Sequence, residues 1–80
     1  LNNSYYQFYT AKIKSKLGIF DEAFNHYQKA IELNPSESLF FKGLGDFYRI
    51  TNNEHKNIEL SKFNYKKAIE LRNNVDSYYN

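Results

Sequence analysis

The feature that most constrains this chain is a heptapeptide that occurs twice. Tyr27-Gln28-Lys29-Ala30-Ile31-Glu32-Leu33 returns as Tyr65-Lys66-Lys67-Ala68-Ile69-Glu70-Leu71, identical at six of seven positions and 38 residues further on. Self-similarity at a period of roughly 20–50 residues marks an array of stacked supersecondary units, none of which can bury its apolar face alone. Such an array implies a surface for binding, but not the identity of what binds.

Eighty residues are few for an independent core, so regular packing or a neighbour has to compensate. The composition, 41% apolar and 25% charged, is that of a soluble globular chain rather than a disordered one. Eight Tyr and seven Phe, with no Trp or Met, leave large rings to supply much of the burial. Scarce Gly and Pro favour helix over a turn-rich sheet. A net charge of +2 is too small to point to nucleic acid or a membrane surface, and neither is expected as a partner. The lack of cysteine excludes a disulfide framework and a thiolate zinc site. No apolar run approaches the roughly 20 residues of a bilayer span, and neither end resembles a signal peptide. The sequence does not place the compartment; an intracellular setting is favoured over others, the cytoplasm if one must be named. A start at Leu1 suggests a piece of a longer protein.

Along the chain, a first helix is expected from about Ser4 to Leu17, with Tyr6, Thr10, Ile13 and Leu17 on one face and Gly18 ending it. Asp21 is expected to cap a second helix, whose stripe is Phe20, Ala23, Phe24, Tyr27, Ala30 and Ile31. Asn34-Pro35 stops it. Ser36 is the expected cap of a third helix carrying Phe40, Phe41, Leu44, Phe47, Tyr48 and Ile50. Gly43 and Gly45 within it each cost about 1 kcal/mol of helix propensity, which points to close approach of another backbone. Thr51-Asn52-Asn53 breaks the chain, and a fourth helix ends near Arg72. Asn73-Asn74 is expected to turn, and Asp76–Asn80 to begin a fifth helix. Ser4-Tyr5-Tyr6, Ser38-Leu39-Phe40 and Ser77-Tyr78-Tyr79 echo one another, so the order reads helix pair, helix pair, stub. Short loops imply antiparallel packing.

Leu17-Gly18, Phe20, Ala23, Tyr27, Ala30 and Pro35, with Leu44, Gly45 and Tyr48 in the third helix, resemble the tetratricopeptide repeat at its spacing. The resemblance covers nearly the whole chain and implies an all-α fold: antiparallel helix-turn-helix repeats stacked as a short right-handed α-solenoid. Repeat one would span about 4–35, repeat two about 36–73 and the stub 76–80. There are departures. Gln7 and Lys14 stand where the family usually has rings, Ser61 where it prefers Ala, and Lys62 where the first repeat has Phe24. Repeat two carries four extra residues between Asn52 and Ile58, either an early helical turn or a longer loop.

The resemblance also implies a concave groove lined by the first helix of each pair, which binds a peptide or helix of another protein. Its inward positions fall on Tyr5, Phe8, Lys12, Leu39, Lys42, Asp46 and Arg49. Two rings with three cations would suit an extended segment bearing carboxylates and an apolar anchor. Equally, the charges could be a solvated face, and Tyr5 and Phe8 could pack on a preceding helix. The two-carboxylate clamp of chaperone-tail adaptors fails, since Phe8, Lys12 and Gly43 take its places. The family's asparagine ladder fails at Tyr9 and Gly43.

No catalytic constellation, metal site or cofactor is expected. Glu22 and His26, four apart on one helix, lack a third ligand, and His55 sits in a polar segment where exposure is the default. Leu60 and Phe63 fall off the buried stripe of the fourth helix and mark a candidate second surface. The leading reading is a non-enzymatic protein-interaction module within a larger scaffold or adaptor. Its rivals are a structural segment that packs only on neighbouring repeats, or whose open ends pair as a homodimer, and a regulatory segment of a larger enzyme. A three-helix trafficking domain of the microtubule-interacting kind is opposed by Asn34-Pro35 and by the repeated heptapeptide. RNA binding is the weakest reading.

Overall fold

The computed structural model describes the backbone of residues 2–79 and the side chains of residues 3–73. Four helices follow in order: α1 (Asn2–Lys16), α2 (Phe20–Leu33), α3 (Ser38–Tyr48) and α4 (Ile58–Tyr79). α1 pairs with α2 and α3 with α4, and α3 lies across both helices of the first pair. Lys14 meets Glu22 while Gln7 meets His26, so α1 and α2 run antiparallel. With Cα extents of 41 × 28 × 16 Å, the stack is a thin slab.

The core is a block of rings. Phe8, Phe20, Tyr27, Phe40, Leu44, Phe47 and Tyr48 close over Ala11, Ala23 and Ala30, whose small side chains let the helices approach. Phe47 lies within about ring-contact range of Phe20, Tyr27 and Phe24, at centroid separations of 6.3, 5.6 and 5.9 Å, geometries worth up to about 1.5 kcal/mol each beyond the buried area. The α2 stripe is as expected, with Phe20, Ala23, Tyr27 and Ala30 buried and Phe24 and Ile31 packed at its edge.

Gly18 ends α1 with φ +80°. The Ile19 N–H reaches the Lys14 carbonyl at 2.9 Å and the Gly18 N–H that of Ser15 at 3.1 Å, the pairing of a Schellman cap. Other ends differ from expectation. α2 has Ile19 at its N-cap and no side-chain cap. Asp21, one residue inside the helix, turns to His55 instead. At α3 the cap is Glu37, whose longer carboxylate reaches the Leu39 N–H at 3.2 Å, and the helix stops at Tyr48, short of Ile50.

The expected α1 face is reversed. Tyr6, Ile13 and Leu17 are exposed, and the buried line is Ser4, Phe8 and Ala11. Both lines have helical spacing, and α2 and α3 cover the one bearing the small residues. The four extra residues form a loop rather than an early turn. Asn53, buried, donates to the Phe47 carbonyl at 2.8 Å and accepts the His55 N–H at 2.9 Å. Asn57 then caps α4 through the Leu60 N–H at 3.1 Å, which fixes the start at Ile58. At the other end, α4 passes through Asn73-Asn74 without a turn and continues to Tyr79. Asn costs a helix only a fraction of a kcal/mol relative to Ala, and no Pro or Gly stands there to stop it. The separate fifth helix is therefore absent from the described backbone, while Asn80 and the stub's side chains lie outside the described residues.

Candidate functional site

α1 and α3 flank a cleft of about 230 Å³ floored by Phe8, Tyr27 and Phe47. Five of the seven groove positions meet there: Phe8, Lys12, Leu39, Lys42 and Asp46. Phe8 is nearly inaccessible at 1% exposure, so it forms the base and not the lip. It packs on Phe40 and Tyr27, which belong to the following helices and not to a preceding one. Lys12 lies over the Phe8 ring, its Nζ 5.7 Å from the centroid, a cation–π distance. Lys16, which sequence reasoning left out, adds a further cation to the wall. Its place one turn beyond Lys12 on the same helix was the available signal.

Opposite, Lys42 and Asp46 form an exposed (i, i+4) pair at 3.9 Å, worth little by itself in water. The other two groove positions lie elsewhere. Tyr5 packs edge-on to Phe40 at 5.2 Å and donates its hydroxyl to Glu37, which raises its pKa. Arg49 stands with Tyr65, a contact that raises its own pKa, and the Tyr65 hydroxyl donates to Asp46. Asp46 is therefore divided between the cleft and the α4 side.

The helix glycines face rings rather than another backbone. A Cβ at Gly43 would overlap the Phe8 ring, and one at Gly45 would lie 2.9 Å from that of Tyr65. Ser61, in the place of Ala, donates to the Gly45 carbonyl at 2.8 Å. The two departures on α1 find polar partners on α2: His26 Nδ1 donates to Gln7 at 2.6 Å, and Lys14 pairs with Glu22 at 2.7 Å, lowering the Glu22 pKa. The Glu22–His26 pair is thus divided between two separate contacts.

His55 is tucked in, not exposed. Its ring stacks on Phe24 at 5.2 Å and its Nε2 donates to Asp21 at 2.6 Å. With Glu54, these residues bring ligand-type atoms within 4.8 Å of one another, but two of the three are surface carboxylates and the histidine already clasps the loop to α2. Leu60 and Phe63 are both exposed on α4; Phe63, at 63%, lies beside Lys66, Lys67 and Glu70. Among the described residues, no helix is long and apolar enough to cross a membrane.

The sequence profile of the family described as tetratricopeptide repeat matches residues 4–37, which are α1, α2 and the turn before α3. Residues 4–37 are a tetratricopeptide repeat. Tetratricopeptide repeats generally mediate protein–protein interaction and are typically non-catalytic. The matched repeat and the helical stack describe an α-solenoid. No curated protein and no solved structure gave a significant match.

Proposed function

We propose that this chain is a protein-interaction module that holds a peptide or helix of a partner in the cleft between α1 and α3. Its organisation is two repeats, 4–35 and 36–73, within a larger scaffold or adaptor. The observation that carries this reading is the chemistry of the cleft: an apolar floor with Lys12, Lys16 and Lys42 around it and Asp46 the sole carboxylate among its lining residues. An extended segment bearing carboxylates beside an apolar anchor fits that lining.

The test is a peptide array containing acidic C-terminal sequences, followed by fluorescence anisotropy at two salt concentrations. Binding is expected to weaken with salt, because exposed charges are screened. Lys12→Ala and Lys42→Ala are each expected to weaken it about 2–5-fold, the worth of an exposed ion pair. Lys62→Ala, exposed on α4 and outside the lining of the cleft, is the control. Equal losses in all three variants would sink the groove.

A second reading is favoured by the exposed apolar residues at the ends of the stack, Tyr6, Ile13 and Leu17 on α1 and Ile69 on α4. In it, the open ends pair between copies of the chain. Leu60 and Phe63 are a weaker candidate contact. A Leu60→Asp variant with unchanged stability and association would remove it.

A further inference from the structure

The internal joint between the two helix pairs is a template for the two ends of the molecule. On one side of that joint, α3 inserts Phe40 and Phe47, exposed by 0% and 1%. On the other side, Tyr5, Phe8, Tyr27, Ala30 and Ile31 receive them. Phe40 lies 5.2 Å from Tyr5 and 5.1 Å from Phe8, and Phe47 5.6 Å from Tyr27.

The repeat carries both halves of this joint to the ends. Ser4-Tyr5-Tyr6 aligns with Ser38-Leu39-Phe40, and the heptapeptide of α2 with that of α4. In that register Leu39, Lys42, Tyr65, Ala68 and Ile69 hold the positions of Tyr5, Phe8, Tyr27, Ala30 and Ile31. Together with Arg72 they line an open cleft of about 390 Å³ on the far side of α3. Ile69 is 59% exposed, whereas Ile31 packs against the core. At the near end, Tyr6 and Ile13 hold the positions of Phe40 and Phe47. They are 68% and 60% exposed, and Tyr9 and Leu17 extend the same stripe. One end is a socket in the register of the filled joint, and the other is the matching plug.

We propose that copies of this chain associate head to tail, the α1 face led by Tyr6 and Ile13 seating in the α3–α4 cleft of the next copy. The proposal rests on the second reading above and specifies which faces meet. The chemistry is complementary: the socket sets Lys42 and Arg72 beside an apolar floor, and the plug brings the rings of Tyr6 and Tyr9, which cations bind through their faces. Because plug and socket are different surfaces, the contact is heterologous and leaves a free plug and a free socket after each addition.

Sedimentation velocity on the 80-residue chain across a wide concentration range tests this. The mean mass is expected to rise smoothly past the dimer. Tyr6→Lys removes the plug and Ile69→Lys the socket, both at exposed positions. Each variant alone is expected to weaken association at least tenfold, with helicity by circular dichroism unchanged. Mixed in equal amounts, they retain one intact plug and one intact socket, and they are expected to form a dimer and nothing larger. If either variant loses helicity, Ile13→Lys or Ile69→Ser replaces it. A monomer at every concentration overturns both this proposal and the second reading. A dimer broken by Ile69→Lys but indifferent to Tyr6→Lys overturns the head-to-tail geometry alone, as does a mixture that stays monomeric.

Discussion

Tyr27 shows how much one side chain does here. It is 3% exposed, floors the groove, and touches Phe8 and Phe47. Burial pushes its phenol from the usual 10 up to about 12. Between these values the unfolded chain gives up the proton and the folded chain keeps it. The stabilisation is therefore complete below pH 10 and is lost as the pH rises towards 12. Two units correspond to about 3 kcal/mol. Tyr27→Phe is expected to flatten the alkaline fall in stability, measured by urea unfolding at stepped pH, in part only, since burial also raises Tyr48 and Tyr65. An unchanged profile would mean that the phenol is not held neutral by the fold. Tyr27 was readable in the sequence because it recurs as Tyr65 in the repeated heptapeptide. The exposed stripe of α1 was misread because Tyr6, Ile13 and Leu17 are large, whereas two of the three members of the buried line, Ser4 and Ala11 beside Phe8, are small. Periodicity finds a face without saying which neighbour covers it.

At the scale of elements, the loop before α4 is held from within by Asn53 and clasped to α2 by the His55 ring stacked on Phe24. Asn53 makes two side-chain hydrogen bonds while 3% exposed, and its own carbonyl accepts the Lys56 N–H at 3.0 Å. Asn53→Ala deletes the two side-chain bonds at about 1 kcal/mol each, so a loss of about 2 kcal/mol is expected in chemical denaturation. Asn53→Asp keeps the acceptor for the His55 N–H but buries a carboxylate against the Phe47 carbonyl, and is expected to cost more than Ala at neutral pH. If Asp is no worse than Ala, the retained His55 contact offsets that repulsion. The length of this insertion was legible from the 38-residue spacing, since the family period is about 34. Its form was not, because four residues make either one helical turn or a loop, and only the burial of Asn53 decides. The continuation of α4 through Asn73-Asn74 went unread for a related reason: Asn is weakly helix-averse, and what overrides it lies in the helix already running.

At the scale of the whole molecule, the two repeats are unequal. The core cluster draws its buried residues from α1, α2 and α3. α4 offers Ser61, Asn64 and Ala68 where α2 offers Ala23, His26 and Ala30. Among the described residues it meets α3 through the Ser61–Gly45 and Tyr65–Asp46 hydrogen bonds and the Tyr65 ring. A helix whose described buried residues are Ser61, Asn64 and Ala68, packed on α3, is expected to open at lower free energy than the global unfolding. The groove positions on α1 and α3 stand on the well-packed side, which suits a preformed binding surface. The cleft beside Ile69 stands on the loosely attached side, where docking of another copy would add the missing neighbour. Native-state hydrogen exchange is therefore expected to rank the α2 and α3 amides as most protected and those of α4 as least, at dilutions where the chain is monomeric. Raising the concentration is expected to slow exchange in α4 from about Tyr65 to Arg72, and to do so less in Ile69→Lys. Equal protection of α2 and α4 at high dilution would show that Ser61, Asn64 and Tyr65 hold their helix as firmly as the ring block holds the other three.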